Sequence, residues 1–322
     1  MLRTYPIDGD GDVGAQDALT LVFDQPMEPD SAACRFEISP TVALEASWPA
    51  PERLELRGSG WQEEGAYEFT LLQARAQSGG SLAEPVSLRF ARVGYAPIPI
   101  LMYHHVDPMD KTPAPDVGEW MVSPQQFAAE LDLLISLGAH QVTMEAVADY
   151  LERNEPLPPR PVAITFDDAN RCVLEHAVPE LRARGWQAML FVPPDFLGSV
   201  GAFTWDELRA LAAEGFEIGA HSYDHVKVHR LSAEEAVRQM GEAREVLERE
   251  TGASVRFFAS PYGYFSDGAI AQLQYYGYRG AVTIDPTPYQ LHAGLYSLAR
   301  IRTTYGAPLQ TLREKLPWTD PG

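Results

Sequence analysis

The sequence predicts an α/β domain with a parallel sheet or barrel, preceded by a small all-β sandwich domain. Residues 18–91 contain short runs with the period-two alternation of strands, punctuated by Pro, Gly, Asp and Ser. After residue 99, apolar strand-like runs alternate with amphipathic helical patterns. Repeated β–α units of this kind indicate a parallel sheet or barrel, whose chemistry lies where strands end and loops begin.

The length supports two domains, because 322 residues with 45% hydrophobic content can fill two cores. The segment RVGYAPIP, residues 92–99, is typical of a linker, since Gly and two prolines interrupt both periods. We therefore expect a first domain over residues 1–93 and a second over residues 97–318.

The first domain shows strand patterns at residues 19–23, 53–57, 67–72 and 86–90. The segments TLVFDQPMEPD, FEISP and GAYEFTLL followed by LRF resemble bacterial Ig-like domains. This resemblance implies a spacer or binding module without chemistry.

The segment DGDGD, residues 8–12, has the alternating carboxylates of a calcium loop. Counting from Asp8, however, Val13 and Leu19 stand where an EF-hand loop needs Gly and Glu. A solvated turn is the prediction here.

Composition excludes several partners. A net charge of −20 disfavours nucleic acid and anionic membrane surfaces, and no apolar run is long enough to span a bilayer. Cys34 and Cys172, the two cysteines, fall in different predicted domains, so a disulfide framework is not expected.

Two carboxylates follow an apolar strand in the segment ITFDDAN. Asp167 and Asp168 leave the end of this strand together, so one can bind a metal while the other serves as a base. The alternative is that one of them caps the helix that begins near Asn170.

Two histidines follow another strand in EIGAHSYDH. His221 and His225 are four residues apart, a spacing that lets both imidazoles face one ion. With an acidic pair at another strand end, they favour a site of two His and one carboxylate. We interpret His229, four residues further, as a residue of the run into the next helix rather than a ligand.

The segment FFASPYGYF ends a third strand in a turn. Pro261 and Gly263 allow this turn to aim a backbone N–H at an oxyanion, although on its own the turn is an ordinary one.

Taken together, TFDD, HSYDH and SPYG, each after a strand and in this order, resemble the motifs of carbohydrate esterase family 4 polysaccharide deacetylases, the NodB-homology domain. The resemblance covers about residues 97–305 and implies a distorted (β/α)7-type TIM-like barrel. It also implies Asp167 as the general base and the Tyr262 N–H in the oxyanion hole. The implied metal ligands are Asp168, His221 and His225.

Two departures from the family pattern refine this reading. Ala259 stands where many members carry an Arg that orients the base, and Arg300 or Arg302 is the candidate replacement. The segment PILMYHHV resembles the family's last motif moved to the front, as in the circularly permuted deacetylases of poly-β-1,6-N-acetylglucosamine. That order implies His104 as the general acid, with His105 in this role, or both packed at the strand end, as alternatives.

The resemblance implies a metal-dependent hydrolase that removes N-acetyl groups from a GlcNAc-containing polysaccharide, with poly-β-1,6-N-acetylglucosamine as the expected substrate. Zn²⁺ is the expected metal, and Co²⁺, Ni²⁺ or Fe²⁺ also suit these ligands. Chitin, peptidoglycan or acetylated xylan are alternative substrates, because fold and metal site do not fix the substrate. An alternative of another class is a non-catalytic glycan-binding surface protein.

A glycan substrate places the expected site of action outside a bacterial cell or on its surface. Residues 1–14 lack the basic start and apolar middle of a signal peptide, so we expect the signal to be absent from this chain. We expect a monomer. Aromatic side chains are predicted to line a groove for sugar rings, with ordinary core or rim positions as the alternative: Trp205, Tyr223, Tyr262 and Tyr264.

Overall fold

The computed structural model divides the chain into two compact units, Met1–Tyr95 and Ala96–Gly322. The boundary between them falls inside the predicted linker. The structure describes residues 3–5, 10–13, 19–29, 34–59, 65–82, 84–92, 95–108, 118–153, 155–291 and 294–318.

The first unit is built from strands arranged in two four-stranded sheets, ordered β1-β3-β6-β5 and β2-β8-β7-β4. Every pairing is antiparallel except that of β2 with β8. The strands are β1 (Arg3–Tyr5), β2 (Asp10–Val13), β3 (Leu19–Val22), β4 (Cys34–Ser39), β5 (Ala43–Ala50), β6 (Arg53–Ser59), β7 (Gly65–Ala74) and β8 (Val86–Arg92).

Apolar side chains of both sheets form one buried cluster, to which Leu21 and Leu54 contribute from one sheet and Phe69 and Leu71 from the other. Two sheets that share a core in this way form a β-sandwich. The prediction of a turn at residues 8–12 was wrong for its second half, because Asp10–Val13 is a strand that pairs with β8. Asp8 and Gly9 lie outside the described residues.

The second unit alternates strands and helices, as the periodicity predicts. Its strands are β9 (Tyr95–Pro97), β10 (Ile100–Tyr103), β11 (His105–Val106), β12 (Met121–Val122), β13 (His140–Gln141), β14 (Pro161–Asp167), β15 (Met189–Val192), β16 (Glu217–Ala220), β17 (Phe257–Ala259), β18 (Gly280–Val282), β19 (Tyr289–Leu291) and β20 (Ile301–Arg302). Its α-helices are α1 (Pro124–Ser136), α2 (Met144–Arg153), α3 (Val178–Ala183), α4 (Trp205–Ala213), α5 (Ala233–Ala236), α6 (Ala243–Thr251), α7 (Asp267–Tyr275) and α8 (Leu309–Lys315). π-helical turns at Val173–Ala177 and Val237–Glu242 precede α3 and α6.

The main sheet of this unit is parallel throughout and has the order β18-β17-β16-β15-β14-β10-β20, with β13 also paired to β14. It curls into a half-barrel, and an isolated parallel bridge joins Val282 to Leu298 beyond the last strand. The central strand β14 is buried from Val162 to Asp167, as expected for a parallel strand covered on both faces. The α/β class is thereby confirmed.

Local sequence signals fix where the helices begin. Thr204 and Ser232 form capping boxes with Glu207 and Glu235, in which each side chain satisfies a free backbone N–H. Ser123 accepts a hydrogen bond from the Gln126 N–H at the start of α1. Within the described part of the chain, no helix has the length and apolar content needed to cross a membrane.

Candidate active site

The parallel register brings the predicted residues to one edge of the sheet. Tyr103 pairs with Phe166, and Asp167 pairs with Phe191 on the other side. Because parallel strands share their carboxyl ends, the residues that follow β10, β14 and β16 meet there. His104, the two aspartates and His221 therefore line one pocket of about 920 Å³.

Three of these side chains form a compact ligand set. The Asp168 Oδ1 lies 3.5 Å from the Nε2 of His221 and 3.4 Å from the Nε2 of His225. All three ligand atoms lie within 4.8 Å of one another. Among the described residues, the buried Asp168 Oδ1 has no hydrogen-bond partner. A buried, unsatisfied carboxylate oxygen facing two imidazole nitrogens fits a divalent cation.

The protonation of the set suits a metal as well. Burial lowers the pKa of His221 and of His225, so both rings are neutral near pH 7. The His221 Nδ1 lies 2.9 Å from the Ala259 carbonyl oxygen and donates to it, which leaves Nε2 with its lone pair free. Burial, followed by the charge of Asp167, raises the pKa of Asp168, because both disfavour its ionised form.

The loops at this edge hold an unusual backbone geometry. Asp168, Ser222, His225 and Tyr262 all have positive φ angles, of 71°, 55°, 63° and 65°. Side chains other than Gly seldom adopt this region, because it costs on the order of 1 kcal/mol or more per residue. The surrounding fold therefore holds a ligand set in conformations that local preference disfavours, which is typical of functional sites.

Asp167 has a different partner from Asp168. The Arg300 Nη1 donates to its Oδ1 at 2.7 Å and Nη2 donates to its Oδ2 at 2.8 Å, and both residues are buried. Arg300 is itself held by the Thr283 carbonyl oxygen and the Thr165 Oγ1. Burial alone would raise the pKa of Asp167, but the charge of Arg300 and its two hydrogen bonds lower that pKa below its usual range.

The contact with Asp167 distinguishes Arg300 from Arg302. These are the two candidate replacements for the family's motif arginine, whose position is occupied by Ala259. Arg300 contacts Asp167, whereas the Arg302 guanidinium lies 4.3 Å from the centroid of the Trp120 ring. Arg302 also lies 3.6 Å from the Glu119 carboxylate. The orienting arginine thus comes from the segment before β20 rather than from the one before the Pro261 turn.

His104 and His105 diverge at the end of β10. The His104 Nε2 lies 3.8 Å from the Asp167 Oδ2, and its ring lies 4.6 Å from the Trp120 ring. Burial, followed by the positive charge of Arg300, lowers the pKa of His104 to about 3, so the ring is neutral in the resting site. His105 instead directs its Nδ1 at the Cys172 Sγ, 3.7 Å away. Of the two histidines, His104 faces the aspartate.

The Pro261–Gly263 turn borders the same pocket. Its Tyr262 ring lies 5.1 Å from the His225 ring, so the turn packs directly against a predicted ligand. Gly263 has a φ of 84°, and a Cβ there would lie 2.3 Å from the Ile284 Cγ1. The Gly is therefore needed for both its conformation and its close approach to the next strand segment.

Two of the four predicted groove aromatics line the pocket. Tyr262 and Tyr264 do so with half or more of their surface exposed, 50% and 62%. Trp205 and Tyr223 do not, because they pack partly buried against the main core. Trp120 lines the pocket and was not predicted, since its neighbours in the sequence carry no strand-end motif.

His229 lies in the pocket wall but outside the ligand set. Its Nε2 accepts a hydrogen bond from the Arg230 Nε at 3.1 Å, and its ring packs edge-on against Tyr264. That His229 does not bind the metal stays a prediction, and its position in the pocket wall was not foreseen.

Comparisons with known proteins agree with this geometry. Residues 154–281 match the family model described as polysaccharide deacetylase. A poly-β-1,6-N-acetyl-D-glucosamine N-deacetylase of Staphylococcus aureus is 23% identical over 203 residues, which is 58% of this chain and 69% of that protein.

Solved structures share the fold. The Streptococcus pyogenes deacetylase PplD, in complex with acetate, superposes with a TM-score of 0.64 at 23% identity, covering 70% of this chain and all of that one. A polysaccharide deacetylase from Bacillus cereus superposes with a TM-score of 0.61 at 17% identity, covering 98% of this chain and 99% of that one. Residues 154–281 thus match the polysaccharide deacetylase family, and the second unit has the fold of solved deacetylases.

Proposed function

We propose that this protein is a metal-dependent N-deacetylase that hydrolyses the acetamido groups of poly-β-1,6-N-acetyl-D-glucosamine. The observation that carries the proposal is the unsatisfied Asp168 Oδ1 facing two imidazole nitrogens, beside a second aspartate held by Arg300. The similarity to the Staphylococcus aureus enzyme and the His104 strand at the front of the domain support this polymer as the substrate.

Asp168, His221 and His225 would hold the metal. A divalent cation bound there, with Zn²⁺ suited to two His and one carboxylate, would act as a Lewis acid toward the amide oxygen and lower the pKa of a water ligand. The neutral imidazoles and the free carboxylate oxygen of the set are the forms that such an ion requires.

Asp167 acts as the general base. The two hydrogen bonds from Arg300 fix the orientation of its carboxylate and keep it ionised, so it is ready to take a proton from the attacking water. The Tyr262 N–H, at the turn beside His225, donates to the oxyanion that develops on the former amide oxygen.

His104 delivers a proton to the leaving nitrogen. The ring is neutral at rest, so it must first gain the proton that it later gives. Asp167, whose Oδ2 lies 3.8 Å away and whose pKa is low, holds a proton weakly and passes it to His104. The proton removed from water thereby reaches the amine, and acetate departs as the carbon–nitrogen bond breaks.

Localisation outside the cell or at its surface is part of this proposal, because the polymer is found there. The β-sandwich unit is proposed as an Ig-like spacer or binding module. The surface deacetylase of chitin, peptidoglycan or xylan is the nearest alternative, since the pocket alone does not specify linkage.

Acetate release from three polymers tests the proposal. Metal-loaded protein is incubated with poly-β-1,6-N-acetylglucosamine, chitin oligomers and acetylated xylan, beside Asp167→Asn as the matched inactive variant. The expected result is acetate together with free amines, fastest from the β-1,6 polymer and absent with the variant. Acetate from xylan with no amines from either GlcNAc polymer would overturn the N-deacetylase assignment, and faster release from chitin would overturn the linkage.

A further inference from the structure

Among the described residues, two cations on the exposed side of the pocket have no carboxylate partner. Lys227 and Arg230 are both exposed pocket-lining residues, and in the described part of the chain no Asp or Glu lies within ion-pair distance of either. Several other arginines of the unit do have carboxylate partners, for example Arg182 with Glu214. The pocket side of the molecule thus presents unneutralised positive charge.

Contacts with aromatic rings place these cations. The Lys227 Nζ lies 4.9 Å from the centroid of the Tyr262 ring, and that ring lies 5.1 Å from the His225 ring. The Arg230 Nε donates to His229, whose ring packs against Tyr264. Lys227 therefore lies against an exposed tyrosine of the kind on which sugar rings pack, and Arg230 is joined to a second such tyrosine, Tyr264, through His229. The Tyr262 ring thus contacts both Lys227 and the predicted metal ligand His225.

The sign of the pocket is opposite to that of the chain. The whole chain carries a net charge of −20, yet the described pocket lining has the cations Lys227, Arg230 and Arg300 against the carboxylates Asp167 and Asp168. A divalent cation in the ligand set would add two further positive charges. The described lining of the pocket therefore carries a local excess of positive charge, contributed by Lys227 and Arg230.

The reaction itself makes this sign matter. Hydrolysis turns a neutral acetamide into an amine that takes up a proton near neutral pH, so every turnover adds a positive charge to the polymer. A sugar that has already reacted then meets Lys227 and Arg230 when its neighbour enters the site. Repulsion between the glucosamine ammonium and these two cations, partly screened by salt, reduces binding of the polymer by about three- to tenfold.

We propose that Lys227 and Arg230 determine specificity by selecting for an N-acetylated sugar, and against a glucosamine, beside the sugar that reacts. This inference rests on the proposed N-deacetylase function and adds the pattern of its product. Deacetylated sugars are scattered along the polymer instead of forming contiguous runs, because each product disfavours reaction at its neighbour.

A matched pair of oligosaccharides tests the inference. One is a β-1,6-linked GlcNAc pentamer, and the other carries one glucosamine next to the central GlcNAc. The kcat/KM for acetate release from the central sugar is measured by mass spectrometry for the full-length, metal-loaded protein. The variants are Lys227→Gln/Arg230→Gln and, as a control with the same loss of charge outside the pocket, Arg182→Gln/Arg249→Gln.

For wild type, the glucosamine oligomer is expected to react about three- to tenfold more slowly, with a smaller difference in 0.5 M salt. The ratio of kcat/KM between the two oligomers approaches one in Lys227→Gln/Arg230→Gln. It stays at its wild-type value in the control variant. Equal rates in wild type, or a ratio that the pocket variant leaves unchanged, would overturn the inference while leaving the deacetylase intact. Absence of acetate from both oligomers would instead overturn the proposed function, and this inference with it.

Discussion

The two ends of the parallel sheet both carry buried charge, but they treat it differently. At the amino ends, Arg279 precedes β18 and contacts three carboxylates of α2, Glu145, Asp149 and Glu152, at 2.5–2.6 Å. Glu217, the first residue of β16, accepts hydrogen bonds from two backbone N–H groups at the start of α2. The charges at this end have partners that hold α2 against the sheet.

At the carboxyl ends, the charges are arranged less favourably for the fold. The Asp168 Oδ1 is buried without a partner, and Asp168 and His225 have positive φ angles. Only Asp167 is fully compensated, by Arg300. The difference teaches that satisfied buried charge stabilises a fold, whereas unsatisfied charge in a strained loop marks a place that a ligand completes.

The largest expected effect comes from Asp168→Asn. Loss of this ligand removes metal chemistry worth several kcal/mol, so kcat/KM falls by about a thousandfold or more. The metal-free variant is expected to be at least as stable as metal-free wild type, because burial and the charge of Asp167 make the ionised form of Asp168 unfavourable. Steady-state kinetics measure the fall in kcat/KM, and thermal unfolding in chelator measures the stability of the metal-free protein. A metal-free variant much less stable than wild type would show that Asp168 supports the fold.

Arg300→Met should lower both the stability of the protein and its catalytic activity. It leaves Asp167 as an uncompensated buried charge, which costs about 3–5 kcal/mol of stability. Since Arg300 keeps the pKa of Asp167 low, its removal raises that pKa, and the acid limb of the kcat/KM profile moves to higher pH. Arg300→Lys retains the charge without the paired geometry, so its stability and its acid limb should lie between those of wild type and Arg300→Met. An unchanged acid limb in Arg300→Met would separate Arg300 from the base.

Arg279→Met tests the opposite end. Three partly exposed carboxylates lose their shared partner, while Glu145 keeps Arg256 and Asp149 keeps Arg153, so we expect a loss of about 1–2 kcal/mol in stability. Below the unfolding temperature, kcat/KM should equal that of wild type, because no contact of Arg279 reaches the pocket. A tenfold fall in kcat/KM in the folded variant would contradict the division between the two ends.

The effect of Glu217→Gln depends on pH. Burial raises the pKa of Glu217 to about 7, above its value of 4.5 in an unfolded chain. The raised pKa favours folding at pH values below 4.5, and this contribution is lost as the pH rises through 7. Between pH 5 and 8 the wild type should therefore lose about 1–3 kcal/mol more stability than the variant. Urea unfolding of both proteins at pH 5 and at pH 8 measures this difference. Equal losses of stability in wild type and variant would contradict the raised pKa of Glu217.

The sequence was informative where chemistry follows a strand directly. Asp167, Asp168, His221 and His225 each stand within a few residues of an apolar run, so the ends of β14 and β16 were predictable together with their meeting at one edge. His104 was predictable for the same reason, at the end of β10.

Features that depend on distant pairs were not predictable to the same degree. Arg300 and Arg302 lie on the same short segment, and only the packing against Asp167, 133 residues away, distinguishes them. Trp205, the first residue of α4, packs against the core instead of the pocket, and Trp120 lies in the pocket against His104. The Arg279 cluster joins residues more than 120 positions apart, which local patterns do not reveal.

The central claim is that Asp168, His221 and His225 hold the metal that the deacetylase needs. Metal-free full-length protein is titrated with Zn²⁺ by calorimetry while acetate release from a β-1,6-linked GlcNAc oligomer is followed at each addition, with His221→Ala beside it. The account predicts one ion per chain, acetate release that rises with occupancy and saturates at one equivalent, and neither in the variant. Full-rate acetate release from the metal-free protein, or unchanged binding by His221→Ala, would contradict it.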